Sequence, residues 1–391
     1  MNEMDAPDQL SRRGRRGLPL IAGALAAIVV ASLIYLHPPF LSLPKGPVTA
    51  LSPGPSLVQA QFSSMYSFVS ATTGWGLVVG PQGQPSPSYV YRTTDGAKHW
   101  NLQLTTYPAY NPAVAGIKFF DGKQGVVSIG TGAVYRTIDG GASWDQVRVP
   151  LYPLNEITFS DPSNGWMLAS EPDQGPRHFF TTADRGDTWI ELPLPLAGTG
   201  VGGLRFRAQG EGWRGAGASV PTVYSTLDGG ATWEPHALPH DPQASPGPPP
   251  GSNFTYKTSV GLLPGVGVLA YTRNSADEGA YTSFDGGTTW RPVAPPPGRA
   301  NFSDFVFQDS SHWWAMHLGD LWKSSDAGQS WKLVSQQPEG WVYQPEVIDA
   351  KHAWAELLAY PGIRDPGQGT GLAVTSDGGL HWMQVDAPRP T

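Results

Sequence analysis

Thr137-Ile-Asp-Gly-Gly-Ala-Ser-Trp144 and Thr226-Leu-Asp-Gly-Gly-Ala-Thr-Trp233 are two copies of one eight-residue pattern, and that pattern decides the fold. Five further copies stand at 93–100, 182–189, 283–290, 324–331 and 375–382. Their aspartates fall at 95, 139, 184, 228, 285, 326 and 377, in steps of 44, 45, 44, 57, 41 and 51 residues. A period of this length, repeated this often, marks stacked supersecondary units, and it suits one four-stranded propeller blade. Upstream of each copy the chain repeats an apolar run, a turn often holding Gly-Trp, a second run, and a third run ending in the pattern. A fourth run begins at the pattern's Trp. Ile157-Thr-Phe-Ser, Gly165-Trp-Met-Leu-Ala, His178-Phe-Phe-Thr-Thr and Trp189-Ile-Glu-Leu show it as short strands rich in aromatic and β-branched residues. Seven units run from near Phe62 to near Val385, which predicts an all-β, seven-bladed propeller of four-stranded blades.

The pattern reads as a hairpin device. Its Asp can accept hydrogen bonds from backbone N–H groups two or three residues on, and the glycines supply the positive φ of a tight turn. Asp95, Asp139, Asp184, Asp228, Asp285, Asp326 and Asp377 are therefore expected to be structural. The Trp that follows is large enough to staple one sheet to the next. Seven of the chain's 15 Trp are used this way, and Trp75, Trp166, Trp213, Trp314 and Trp354 recur at the Gly-Trp or Trp-Trp position.

Ser/Thr-x-Asp-x-Gly-x-Thr/Ser-Trp closely resembles the Asp-box (BNR) repeat of sialidases, sortilin-type receptors and the photosystem II assembly-factor family of plants and cyanobacteria. The resemblance covers roughly residues 60 to 386. It implies that the box is a structural turn between the third and fourth strands of each blade, away from the ligand face. Two copies depart from the pattern: Ala97 replaces a glycine in the first, and His99 and His381 replace the hydroxyl residue in the first and last. In repeat size, blade count and export the chain is most similar to the photosystem II assembly-factor group, which implies a scaffold holding a protein partner at or near a membrane.

Residues 17–36 are uncharged and long enough to cross a bilayer as one helix. Arg12, Arg13, Arg15 and Arg16 precede them, whereas Lys45 is the only Lys or Arg between Leu36 and Arg92. That bias places residues 1–16 in the cytoplasm, makes 17–36 a single-pass signal anchor in the cell membrane, and puts the propeller outside. A cleaved signal peptide is the rival reading. Residues 37–60 hold six prolines and read as a semi-rigid linker to the propeller of 61–391.

Cysteine is absent, so neither disulfides nor thiolate chemistry enter. Net charge is −7 overall; the first 36 residues carry +1, which leaves −8 on the remainder, a poor balance for nucleic acid. No metal site or cofactor is indicated: each box offers a single carboxylate, whereas calcium loops alternate several oxygen ligands. His236 and His240 have helical metal spacing, but Pro239 forbids the helix.

Ligand chemistry is expected on the face opposite the boxes, built from inter-blade connections and second-to-third strand loops. The connections offer Glu156, His236, Arg299, Trp341 and Tyr343; the loops offer Arg177, His178, Arg273, Glu278, Arg364 and Asp365. Trp341 lies outside both repeated Trp positions, which singles it out with Tyr343, and Arg177, Arg273, Arg299 and Arg364 could clamp carboxylates. The segments 235–256 and 357–371 lengthen two repeats and would overhang that face. A glycan-binding or exo-sialidase-like protein is the alternative to a protein-binding scaffold. Resemblance to sialidases would require an Arg-Ile-Pro segment ahead of the first box, which this chain lacks. No catalytic residue is therefore assigned.

Overall fold

The structure is a computed structural model of the chain. It describes residues 63–80, 86–106, 115–129, 132–150, 154–171, 175–194, 203–207, 210–218, 220–239, 256–273, 278–296, 305–317, 320–336, 341–358 and 370–389. The expected anchor and linker, 1–60, lie outside the described residues.

Seven antiparallel sheets follow one another along the chain as seven propeller blades. The first strand of each blade lies innermost: Ser63–Phe68, Gly116–Phe119, Leu154–Phe159, Arg205–Phe206, Tyr256–Leu262, Phe305–Phe307 and Trp341–Val347. In six blades this strand is the edge of its sheet. Blade 5 differs from the four-stranded expectation. Gly217–Ala218, which leaves blade 4 after its second strand, pairs along Tyr256–Leu262 as a fifth strand. Glycine permits it, because a Cβ at Gly215 would overlap the carbonyl of Thr258.

The Gly-Trp pair does not form a turn; it opens the second strand, as in Gly74–Val79 and Gly165–Ser170. The reason is the aromatic residue ending the inner strand. The rings of Phe119 and Phe159 lie over Gly125 and Gly165, where a Cβ would sit 2.5 Å from a ring carbon. The Trp after the glycine then reaches the next blade. Trp75 stacks on Phe119 at 3.5 Å, Trp166 on Phe206 at 3.7 Å and Trp354 on Phe68 at 3.9 Å, with rings within 5° of parallel. Trp75 and Trp166 also donate Nε1–H to Gly140 and Gly229, carbonyls in the next blade's box. Trp75, Trp213, Trp313, Trp314, Trp354 and Trp382 are fully buried. Each such ring removes on the order of 200 Å² from water, an upper estimate of roughly 5 kcal/mol.

The box closes as a hydrogen-bonded loop. Thr137 Oγ1 donates to Asp139 Oδ1 and accepts from Gly141 N, while Ser143 donates its N–H to Oδ1 and its hydroxyl to Oδ2. The principal backbone donor is thus four residues on from the Asp, not two or three, because the glycine pair at positive φ carries the chain around before it returns. His99 and His381 donate Nδ1–H in place of the missing hydroxyl, at 2.7 and 2.5 Å. Ala97 keeps the left-handed conformation at φ 64°, as Arg185 and Ala327 do at 66° and 57°. Six of the boxes are tied to the first turn of their own blade, for example through Gly96 N to Thr72 O and Gly378 N to Lys351 O, so boxes and first turns share one face.

Among the described residues no strand is exchanged to close the ring, since blades 1 and 7 each come from one continuous stretch. The C-terminal tail substitutes for exchange: Trp100 Nε1 donates to Asp386 O and Tyr91 Oη to Arg389 O, both at 2.8 Å.

Candidate functional site

A free sheet edge exposes unpaired N–H and C=O groups, and here the preceding blade supplies partners for several of them. Ser67 Oγ accepts from Phe119 N at 3.0 Å, Glu156 Oε1 from Leu204 N at 2.7 Å and Glu346 Oε2 from Phe68 N at 2.8 Å. Lys118 Nζ donates to the Phe159 carbonyl at 2.7 Å. The inner wall is therefore polar for a structural reason, and its charge is unevenly distributed.

Cations cluster on the inner wall of blades 2 to 4. Arg205 lies 3.5 Å from Glu156, and Arg214, buried on the second strand of blade 4, faces the same carboxylate. Burial, opposed by the attraction of Arg205, raises the Glu156 pKa. Burial and then repulsion from Arg205 lower that of Lys118. Burial lowers Arg214 as well, and neighbouring Arg177 adds to the effect. Arg205 and Arg214 thus face Glu156, with Lys118 beside Arg205 and Asp161 and with Arg177 beside Arg214, so four cations neighbour two carboxylates and leave positive charge able to hold an anionic group. Guanidinium groups suit carboxylates because their N–H donors form a fixed fork.

Of the expected ligand residues, Arg177 opens the third strand of blade 3 and is exposed at this end of the propeller. Arg273 ends the second strand of blade 5, exposed, with Nε 3.6 Å from Glu278. Trp341 and Tyr343 belong to the inner strand of blade 7, not to an inter-blade connection; Tyr343 is registered opposite Glu356. Arg299 and Arg364 lie outside the described residues. His236 lies in the outer strand of blade 4, hydrogen-bonded to Ser225 at 2.8 Å and against the Trp213 ring, so it is part of the packing. His178 is held by Glu191 and Glu171, which raise its pKa. Glu156 lies in an inner strand, not in a connection.

Lys118, Arg205 and Arg214 escaped the sequence reading because they sit inside strands, where a charge at period two reads as a solvated face. The one available signal was their position one or two residues from the repeated Phe and Gly-Trp.

The box carboxylates offer little to a ligand. In each box the Asp carboxylate is occupied by its own turn, and those hydrogen bonds hold Asp139, Asp184, Asp228 and Asp285 at a pKa of about 2. No group of three or more metal-ligating side chains occurs among the described residues.

The BNR/Asp-box repeat family matches residues 281–292. By sequence the chain is similar to the photosystem II assembly lipoprotein Ycf48 of Nostoc sp. strain PCC 7120, 29% identical over 154 residues, which is 37% of this chain. The match spans 41% of that relative's length, about two fifths. By structure it is similar to Ycf48 bound to D1 peptide, with a TM-score of 0.53 and 16% identity, covering 85% of this chain and 99% of that one. Ycf48 from Cyanidioschyzon merolae is similar at a TM-score of 0.52 and 17% identity, covering 83% and 97%. The chain is an Asp-box β-propeller resembling photosystem II assembly factors.

Proposed function

We propose that the chain is a membrane-anchored, extracytoplasmic scaffold that captures a protein partner on the face opposite its Asp boxes. The observation that carries this reading is the chain of cations Lys118, Arg205, Arg214 and Arg177, with Glu156 and Asp161 as the carboxylates among them. It offers several cations to an anionic polypeptide segment on a rigid wall. Similarity to an assembly lipoprotein, and to a fold solved with a D1 peptide bound, supports a polypeptide as the ligand class. The arginines ahead of residues 17–36 support the topology. Sequence resemblance to sialidases stops at the box, because the Arg-Ile-Pro segment that precedes their first box has no counterpart in the sequence.

Capture of membrane proteins by the full-length chain tests the reading. Wild type should retain a partner that the double variant Arg177→Ala/Arg205→Ala loses, with the two melting at the same temperature. Equal capture by both would reject the basic wall as the docking surface. Protease added to intact spheroplasts should remove the propeller; full protection would reject the topology.

A further inference from the structure

A second, acidic site lies where blade 7 meets blade 1. Glu346 is registered opposite Trp354, and Glu356 opposite Leu372, so all four side chains share one face of blade 7. That face packs on the Phe68 ring of blade 1. Between the blades is a partly enclosed cavity of about 220 Å³, lined by Tyr66, Ile117, Glu346, Trp354, Glu356 and Leu372. The Tyr66 hydroxyl is buried there with only the Ser64 hydroxyl nearby and no hydrogen bond of good geometry. Glu346 spends one oxygen on Phe68 N, while no hydrogen bond or ion pair to the described residues engages the Glu356 carboxylate. A half-buried carboxylate without a partner is costly to keep, and a polar hydroxyl beside it adds to the cost.

We propose that this cavity receives a primary alkylammonium group, such as the lysine side chain of a bound polypeptide. Two carboxylates and a hydroxyl provide acceptors for the three N–H donors of an ammonium. Apolar walls at Ile117 and Leu372 suit its methylenes, and the Trp354 face suits a cation. A hard divalent ion fits poorly, since it wants about six to eight oxygen ligands and the lining supplies two carboxylates and a hydroxyl. Drug-sized ligands need roughly 300 Å³ or more, so the volume favours one side chain. Burial lifts both glutamates to a pKa of about 7 and also raises Tyr66, the third titratable group of the lining. An entering cation would reverse the shift on the glutamates.

The lysine source rests on the polypeptide-binding reading above, whereas the ammonium chemistry does not. Calorimetry on the full-length chain at about pH 8, where both glutamates are ionised, separates the two. The probes are n-butylamine, Nα-acetyl-lysine N-methylamide, n-butanol and calcium chloride. Both amines should bind saturably and n-butanol should not. Glu356→Gln, which keeps shape and removes a buried charge, should weaken both amines by about tenfold or more. Tyr66→Phe should weaken them less. Binding of n-butylamine without the blocked lysine leaves an amine site and removes the polypeptide source. Absence of saturable amine binding, an unchanged affinity in Glu356→Gln, or calcium bound in preference to the amines would overturn the proposal. Amine binding that survives in Arg177→Ala/Arg205→Ala, while partner capture is unaffected by that variant, would reject the basic-wall reading alone.

Discussion

The Glu346 carboxylate accepts the Phe68 backbone N–H at 2.8 Å across 278 positions of sequence, and so joins the last inner strand to the first. With the Trp354–Phe68 stack it holds the ring shut where no strand is exchanged among the described residues. Glu346→Gln keeps an acceptor for Phe68 and removes a desolvated charge, whereas Glu346→Leu leaves the N–H buried and unpaired. Denaturant unfolding should place the Leu variant about 1–3 kcal/mol below the Gln variant. Equal stability of the two would show that the bond contributes nothing to closure.

Acid and base should act on different groups. Glu346 and Glu356 have folded pKa values of about 7, raised from 4.5 by burial. The folded state therefore binds their protons more tightly than the unfolded chain does, and the stability they contribute is full below 4.5 and lost as pH climbs through 7. His178, raised from 6.5, acts in the same sense. Asp139 and Asp184, lowered from 3.8 to about 2, contribute above 3.8 and lose that contribution as pH falls through 2. Melting temperature should peak near pH 4 to 5 and decline toward pH 8, and Glu356→Gln should flatten the decline. A rise from pH 5 to pH 8 in the wild type would contradict the burial of the pair.

Asp139→Ala removes the acceptor for Ser143 N, Ser143 Oγ and Thr137 Oγ1 at once. The melting temperature should fall by a few degrees, with partner capture below it unchanged. Lost capture at unchanged stability would move the ligand to the box face.

Arg185 is exposed and held at φ 66°, and its carbonyl accepts from Arg136 Nη1 whatever the side chain. Left-handed backbone costs a non-glycine residue about 1–2 kcal/mol, and glycine returns part of that as unfolded-state entropy. Arg185→Gly should stabilise by up to about 1 kcal/mol in thermal unfolding. Destabilisation would mean that the side chain makes a compensating contact.

Trp341→Ala should weaken partner capture while leaving the fold intact, and turnover of a fluorogenic sialoside by the wild type should stay at background. Turnover above background, abolished by Arg299→Ala or Arg364→Ala, would establish an enzyme instead.

What the sequence by itself determined is local and repeated. An Asp box closes within eight residues, its Gly and Trp have fixed local duties, and seven copies at blade length leave one architecture for the strands between them. The Gly-Trp pair was legible as a repeat, though not as a strand opening, because the demand for glycine comes from a Phe ring on the paired strand. Only the tertiary structure decided the rest. Lys118, Glu156 and Glu346 each reach the backbone of the following blade, and Glu346 does so across nearly the whole domain. In sequence Glu156 reads as part of an inter-blade connection, Lys118 is marked only by the Phe beside it, and Glu346 is one charge in a strand like any on a solvated face. Closing the ring turns them inward, and burial in a low-dielectric wall then separates a basic arc from an acidic cavity, since charge there is set by neighbours brought from distant blades.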